Sequence, residues 1–104
     1  MARDAYRAAY RNPAVIAATC ADYRAGASSD VTDDRASREA GQRITCPLLA
    51  LWGHYLAEGI SVGDAWRQWA DDVRDESLPC GHFLAEEDPE RTKRALLDFF
   101  QAVA

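Results

Sequence analysis

Ile44-Thr45-Cys46-Pro47-Leu48-Leu49-Ala50-Leu51-Trp52-Gly53 is the stretch on which the fold turns. It is nearly all apolar, ends in glycine and lacks the alternation of a half-exposed strand, so it reads as a strand covered on both faces. Pro47 has no N–H to give to a ladder, which places the start of the regular strand at Pro47 or Leu48. Downstream, Val62, Ala65, Trp66, Trp69, Ala70 and Val73 recur at helical spacing. They predict a helix capped by Ser61, with both tryptophans packed into the core. Asp75 to Leu78 predict a short second strand leading into Pro79-Cys80-Gly81-His82-Phe83. Asp88-Pro89 then offers a cap and a first-position proline to a last helix, which carries Ala95, Leu96, Phe99, Phe100 and Val103 on one face. Strand, helix, strand, helix is an α/β order, with a parallel pair joined through a crossover helix.

Upstream of Gly41 the pattern is helical. Arg3 to Arg11 is Ala-rich, with Tyr6 and Tyr10 four residues apart on one face. Asn12-Pro13 starts a second helix that carries Val15, Ile16, Thr19, Cys20 and Tyr23 and should end at Gly26. Ser28-Ser29-Asp30 can cap a third, largely charged helix that Gly41 terminates. No strand is predicted before Gly41, and two strands alone cannot bury an apolar strand on both sides. The chain therefore reads as the end of a larger α/β protein, or as one whose sheet a partner completes.

Composition narrows the function classes. The 104 residues are 48% hydrophobic and 28% charged, which suits one globular unit with a modest core. Twelve Lys and Arg stand against seventeen Asp and Glu, and the net charge of −5 repels both nucleic acid and an anionic membrane surface. The run from Cys46 to Trp52 falls far short of the roughly 20 residues of a membrane span, and no signal-type apolar stretch follows Met1-Ala2-Arg3-Asp4. A cytoplasmic location is the expectation. Cys20, Cys46 and Cys80 are an odd number without CxxC spacing, so three reduced thiols are expected, two of them buried. His54, Cys80 and His82 match no zinc spacing, and neither a metal nor a cofactor is expected.

His82 is the most informative polar residue. It follows a glycine just beyond a predicted strand, where α/β proteins place their sites, and imidazole exchanges protons near neutral pH. General-base work and a structural loop hydrogen bond are both open to it. Glu86, Glu87 and Asp88 read as a solvated helix start favoured by the helix dipole. Glu58 reads as a solvated loop carboxylate or as a substitute catalytic acid.

Leu48-Leu49-Ala50-Leu51-Trp52-Gly53, followed some 30 residues later by Gly81-His82-Phe83-Leu84-Ala85-Glu86-Glu87-Asp88-Pro89-Glu90, resembles the last two strands of an α/β-hydrolase with its catalytic histidine. Cys20-Ala21-Asp22-Tyr23-Arg24-Ala25, Asp30, Asp34-Arg35-Ala36 and Trp66-Arg67-Gln68-Trp69-Ala70 extend the match and resemble the haloacetate (fluoroacetate) dehalogenase branch, kin of the epoxide hydrolases. The resemblance implies a fold in which residues 1–41 are the C-terminal half of a helical cap and residues 42–104 the C-terminal part of the hydrolase core. In that family an aspartate displaces halide from a 2-haloacid to form an ester, and a histidine-activated water hydrolyses it. His82 matches the histidine. Tyr23 is the candidate donor to the departing halide, with packing on its helix face as the other reading. The family's nucleophile elbow and oxyanion loop match nothing in these residues, and Trp52-Gly53-His54-Tyr55-Leu56 has no Asp where many α/β-hydrolases carry their acid. The chain alone is thus expected to be inactive, while the complete enzyme would take a small haloacid. An epoxide hydrolase or esterase of the same fold is the alternative within the class. Outside it stands a non-catalytic protein that associates with itself or completes a partner's sheet through its apolar strand edge.

Overall fold

The computed structural model describes residues 2–104, which form two compact units, one up to Gly41 and one from Gln42 to Ala104. The first unit holds helices α1 (Ala2–Ala9), α2 (Pro13–Gly26) and α3 (Ser29–Glu39). Asn12 caps α2 with its side chain, accepting from the Ala14 N–H at 3.0 Å. Ser28 does not cap α3: its hydroxyl turns back and donates to the Arg24 carbonyl at 2.7 Å. Gly41 ends the segment with φ +67°, a conformation that costs glycine nothing. Among the described residues none in these three helices is buried, so Cys20 is exposed rather than packed away.

The second unit is a β-α-β core with two further helices. Strand β1 (Leu48–Gly53) pairs in parallel with β2 (Val73–Leu78), from Leu48 opposite Val73 to Gly53 opposite Leu78. Helix α4 (Val62–Arg67) connects them, and α5 (Leu84–Glu87) and α6 (Pro89–Val103) follow. Strand β1 starts at Leu48 because Pro47 cannot donate and the Leu48 N–H already reaches the Asp72 carbonyl at 2.9 Å. Cys46 lies just before the strand and is exposed, which leaves Cys80 as the single buried thiol rather than one of two.

The crossover helix is shorter than its apolar spacing predicts. Ser61 caps it, accepting from the Asp64 N–H at 3.1 Å, but helical structure stops at Arg67. Ala70 instead pairs in parallel with Ile44, and Val73 already belongs to β2, two residues before the expected strand start. Arg43 explains the stop. Its guanidinium donates to the carbonyls of Arg67, Gln68 and Ala70 at 3.1, 2.9 and 2.7 Å and pairs with Asp71, absorbing the acceptors that a terminating helix exposes. Trp66, inside the helix, is 42% exposed rather than packed in the core.

Alternation along β2 puts α4 and α6 on opposite faces of the pair. Asp75 faces α4, where its carboxylate pairs with Arg67 and occupies the space a side chain at Gly63 would need. Arg74 faces α6 and lies 5.8 Å from the centre of the Phe99 ring. Ala50, Ala70, Leu78, Cys80 and Ala95 form the buried core of this unit. Among the described residues, no helix is long and apolar enough to cross a membrane.

Candidate active site

Both strands end at the same edge of the sheet, and their carboxyl-end loops are stitched together. The His54 N–H donates to the Leu78 carbonyl at 2.8 Å and the Tyr55 N–H to the Cys80 carbonyl at 3.2 Å. Gly53 shows how close the two segments run: a β-carbon there would stand 1.7 Å from the Gly81 carbonyl oxygen. No side chain fits, and glycine is required by space rather than by φ. His82 therefore emerges beside the end of β1 as well as beyond the end of β2. Allowing 3.8 Å per backbone step, the α-carbons of His54 and His82 stand within about 10 Å of each other.

His82 itself is exposed, and its ring meets Phe83 edge-on with centroids 5.2 Å apart. The backbone just after it is held by a carboxylate, which also lies close to the residue just before it. Glu87, at the end of α5, accepts from the Phe83 N–H at 3.0 Å through Oε2. Its Oε1 lies 2.9 Å from where a β-carbon at Gly81 would sit. Helix α5 is in turn tied to α6, because the Thr92 hydroxyl contacts the carbonyls of Leu84 and Asp88 at 3.0 and 2.8 Å. Asp88 caps α6 through the Arg91 N–H at 3.3 Å, and the Arg91 guanidinium holds the Asp88 carboxyl below the usual carboxylate range. Beneath the loop, burial pushes the Cys80 thiol up, and the nearby Glu87 and Asp88 carboxylates push it further. A thiol pushed in this direction ionises less readily.

The sequence pointed to His82 but not to the parts that frame it. Gly53 was legible only as the end of a strand, and Glu87 as one acid of a solvated run. The one signal for Glu87 is its place four residues after Phe83, a spacing that brings a side chain back over a first helical turn. Glu58 is an exposed loop residue. Tyr23 lies on α2, 79% exposed, in the other compact unit. Among the described residues no group of three or more His, Cys, Asp and Glu is placed to hold a metal ion. A cleft of about 190 Å³ on the α6 face, lined by Leu49, Arg74, Ala95 and Phe99 among others, includes none of His54, His82 and Tyr23.

A parallel pair with a crossover helix and a histidine loop at its carboxyl edge defines an α/β class of protein with its site at the strand ends. No family model matches the chain. Individual proteins do. A fluoroacetate dehalogenase of Burkholderia sp. is 36% identical over 99 residues, covering 90% of this chain and 31% of its own length. A soluble epoxide hydrolase of Corynebacterium sp. strain C12 is 33% identical, covering 85% of this chain and 29% of its own. The solved structure of a Pseudomonas aeruginosa protein provisionally named an epoxide hydrolase superposes over 97% of this chain with TM-score 0.89 and 37% identity. A provisionally named α/β-hydrolase of Nostoc sp. PCC 7120 does so over 86% with TM-score 0.79 and 47% identity. The chain belongs to the α/β-hydrolase superfamily, on the branch of the fluoroacetate dehalogenases and epoxide hydrolases, and corresponds to its C-terminal portion. It spans about a third of the length of the proteins it matches.

Proposed function

We propose that these residues supply the water-activating histidine of a hydrolase that works through an alkyl-ester intermediate, with a 2-haloacid as substrate. His82 is the general base. The observation that carries the reading is its placement at the joined carboxyl ends of β1 and β2, on a loop that the Gly53–Gly81 approach locks against the strand beside it. A carboxylate nucleophile displaces halide from the carbon next to the substrate's carboxylate, and halide leaves with the bonding electron pair. Water then attacks the ester carbonyl while His82 takes one of its protons. The ester C–O bond breaks as His82 returns that proton to the leaving alkoxide, and the hydroxy acid departs. The nucleophile sheds the water's second proton to solvent to become a carboxylate again. Tyr23, whose phenolic O–H can donate to an anion, is the donor proposed for the leaving halide. The dehalogenase relative supports haloacid as substrate, while the epoxide hydrolase relative supports ring opening by the same two steps as the second reading.

The test is halide release from fluoroacetate and chloroacetate by the native protein that carries these residues, with epoxide diol formation assayed beside it. His82→Ala should release about one equivalent of halide per site and then stop, because the ester forms but is not hydrolysed. Sustained turnover by His82→Ala at the parent rate would sink the assignment of the base. Diol formation without halide release would move the substrate from haloacid to epoxide. The 104-residue chain by itself should release no halide from either acid.

A further inference from the structure

We infer that Glu87 is a positioning residue for His82: its carboxylate tethers the backbone just after the histidine to the α5–α6 corner, lies close against the residue just before it, and so fixes where the imidazole stands. The inference rests on His82 being the base, and it concerns what holds that base in place. His82 lies four residues past the end of β2, in backbone that belongs to neither helix nor strand. A general base loses most of its effect when it drifts by about 1 Å, so an exposed histidine in such a segment needs an anchor.

Glu87 supplies a hydrogen bond on one side of His82 and close approach on the other. Oε2 accepts from the amide of Phe83, the residue after His82, at 3.0 Å. Oε1 and Oε2 lie 2.9 and 3.0 Å from where a β-carbon of residue 81, the residue before His82, would begin. A hydrogen bond to a carboxylate is of the stronger, charge-assisted kind. The anchor is itself fixed, since Thr92 binds α5 to α6, Ala95 is buried, and α6 packs on β2. A loop that leaves β2 is thus closed back onto the same strand through α5, α6 and a single side chain.

Two substitutions separate tethering from mere folding. Glu87→Ala removes the acceptor, whereas Glu87→Gln keeps an oxygen that can accept the same bond. Gly81→Ala leaves residue 87 intact, but its methyl group takes the space of the carboxylate oxygens and displaces them at little cost, because they end a flexible side chain. In the native protein, Glu87→Ala should lower kcat about tenfold with KM within twofold. Gly81→Ala should do the same, Glu87→Gln should restore kcat to within about threefold, and the double variant Gly81→Ala/Glu87→Ala should lose no more than either alone. In the 104-residue chain, hydrogen exchange at the Phe83 amide should quicken at least tenfold in Glu87→Ala and stay near the parent rate in Glu87→Gln.

Unchanged kcat in Glu87→Ala, or additive losses in the double variant, would overturn the inference. So would Phe83 exchange that ignores residue 87, and that readout stands whether or not the chain turns over substrate. If His82→Ala keeps full turnover, the functional reading fails on its own. If turnover depends on His82 but not on Glu87, only the tether's catalytic role fails.

Discussion

The two strands of the sheet are equal in length and opposite in character. Strand β1 reads Leu-Leu-Ala-Leu-Trp-Gly and has every residue buried or half-buried. Strand β2 reads Val-Arg-Asp-Glu-Ser-Leu and exposes its four middle residues. They form one continuous parallel ladder, so backbone pairing did not require apolar side chains in both. What differs is company. Strand β2 satisfies its charges locally, Asp75 on Arg67 across α4 and Arg74 over the Phe99 ring of α6, and presents the charged surface typical of a sheet edge. Strand β1 has no charge to place and depends on burial on its faces. Polar edge strands of this kind are easily missed in a sequence, whereas an apolar run is conspicuous.

Placing a charge in each strand would test the difference directly. Ala50→Asp, at a site 4% exposed in the middle of β1, should cost about 4 kcal/mol, because a carboxylate there has no partner. Loss of far-UV circular dichroism and of the urea transition would show it. A stability close to the parent's would mean that β1 tolerates water and is not the core strand. Within β2 the contrast narrows to single positions. Leu78→Ala, at the one large side chain below 2% exposure among the described residues, should cost roughly 3 kcal/mol. Glu76→Gln, in the exposed part of the same strand, should stay within about 0.5 kcal/mol of the parent. Equal costs at the two positions would contradict the view that β2 is held by its carboxyl end.

Acid should act on β2 before β1, through α6. The folded state lowers the Asp88 carboxyl's affinity for protons, first by the hydrogen bond from the Arg91 guanidinium. Its stabilising contribution is therefore present above the unfolded value, about 3.9, and is lost as pH falls through the lower folded value. The thermal midpoint should fall on acidification below about pH 4, and less steeply in Asp88→Asn. An identical acid response in the variant would remove Asp88 from the account. Amide protection, taken relative to the intrinsic exchange rate at each pH, should fall sooner along β2, which α6 contacts, than along β1.

Much of the fold was legible because each element carries its own punctuation. Asn12-Pro13, Ser61 and Asp88-Pro89 marked helix starts whose side-chain caps all form. The apolar run and Pro47 located β1 to within a residue. The errors arose where a distant residue intervened. Arg43 ends α4 at Arg67 by capping it from another segment, so the helical spacing through Val73 was coincidental. Trp66, still helical, faces away from the core. Two of the three cysteines were expected to be buried from their type, but Cys20 and Cys46 are both exposed and only Cys80 is buried.

His82 could be proposed from sequence because a histidine after glycine, past a strand, is a local pattern. Its surroundings could not. Sequence by itself determined the order of elements, the parallel pairing implied by a helical crossover, and which loop carries the histidine, since these follow from periodicity, caps and glycines along the chain. Only the tertiary structure decided that Gly53 has no room for a side chain, that Arg43 ends a helix some 25 residues away, and that Glu87 closes over the histidine loop. Those are contacts between segments brought together by packing, and no pattern along the chain records which atoms will meet.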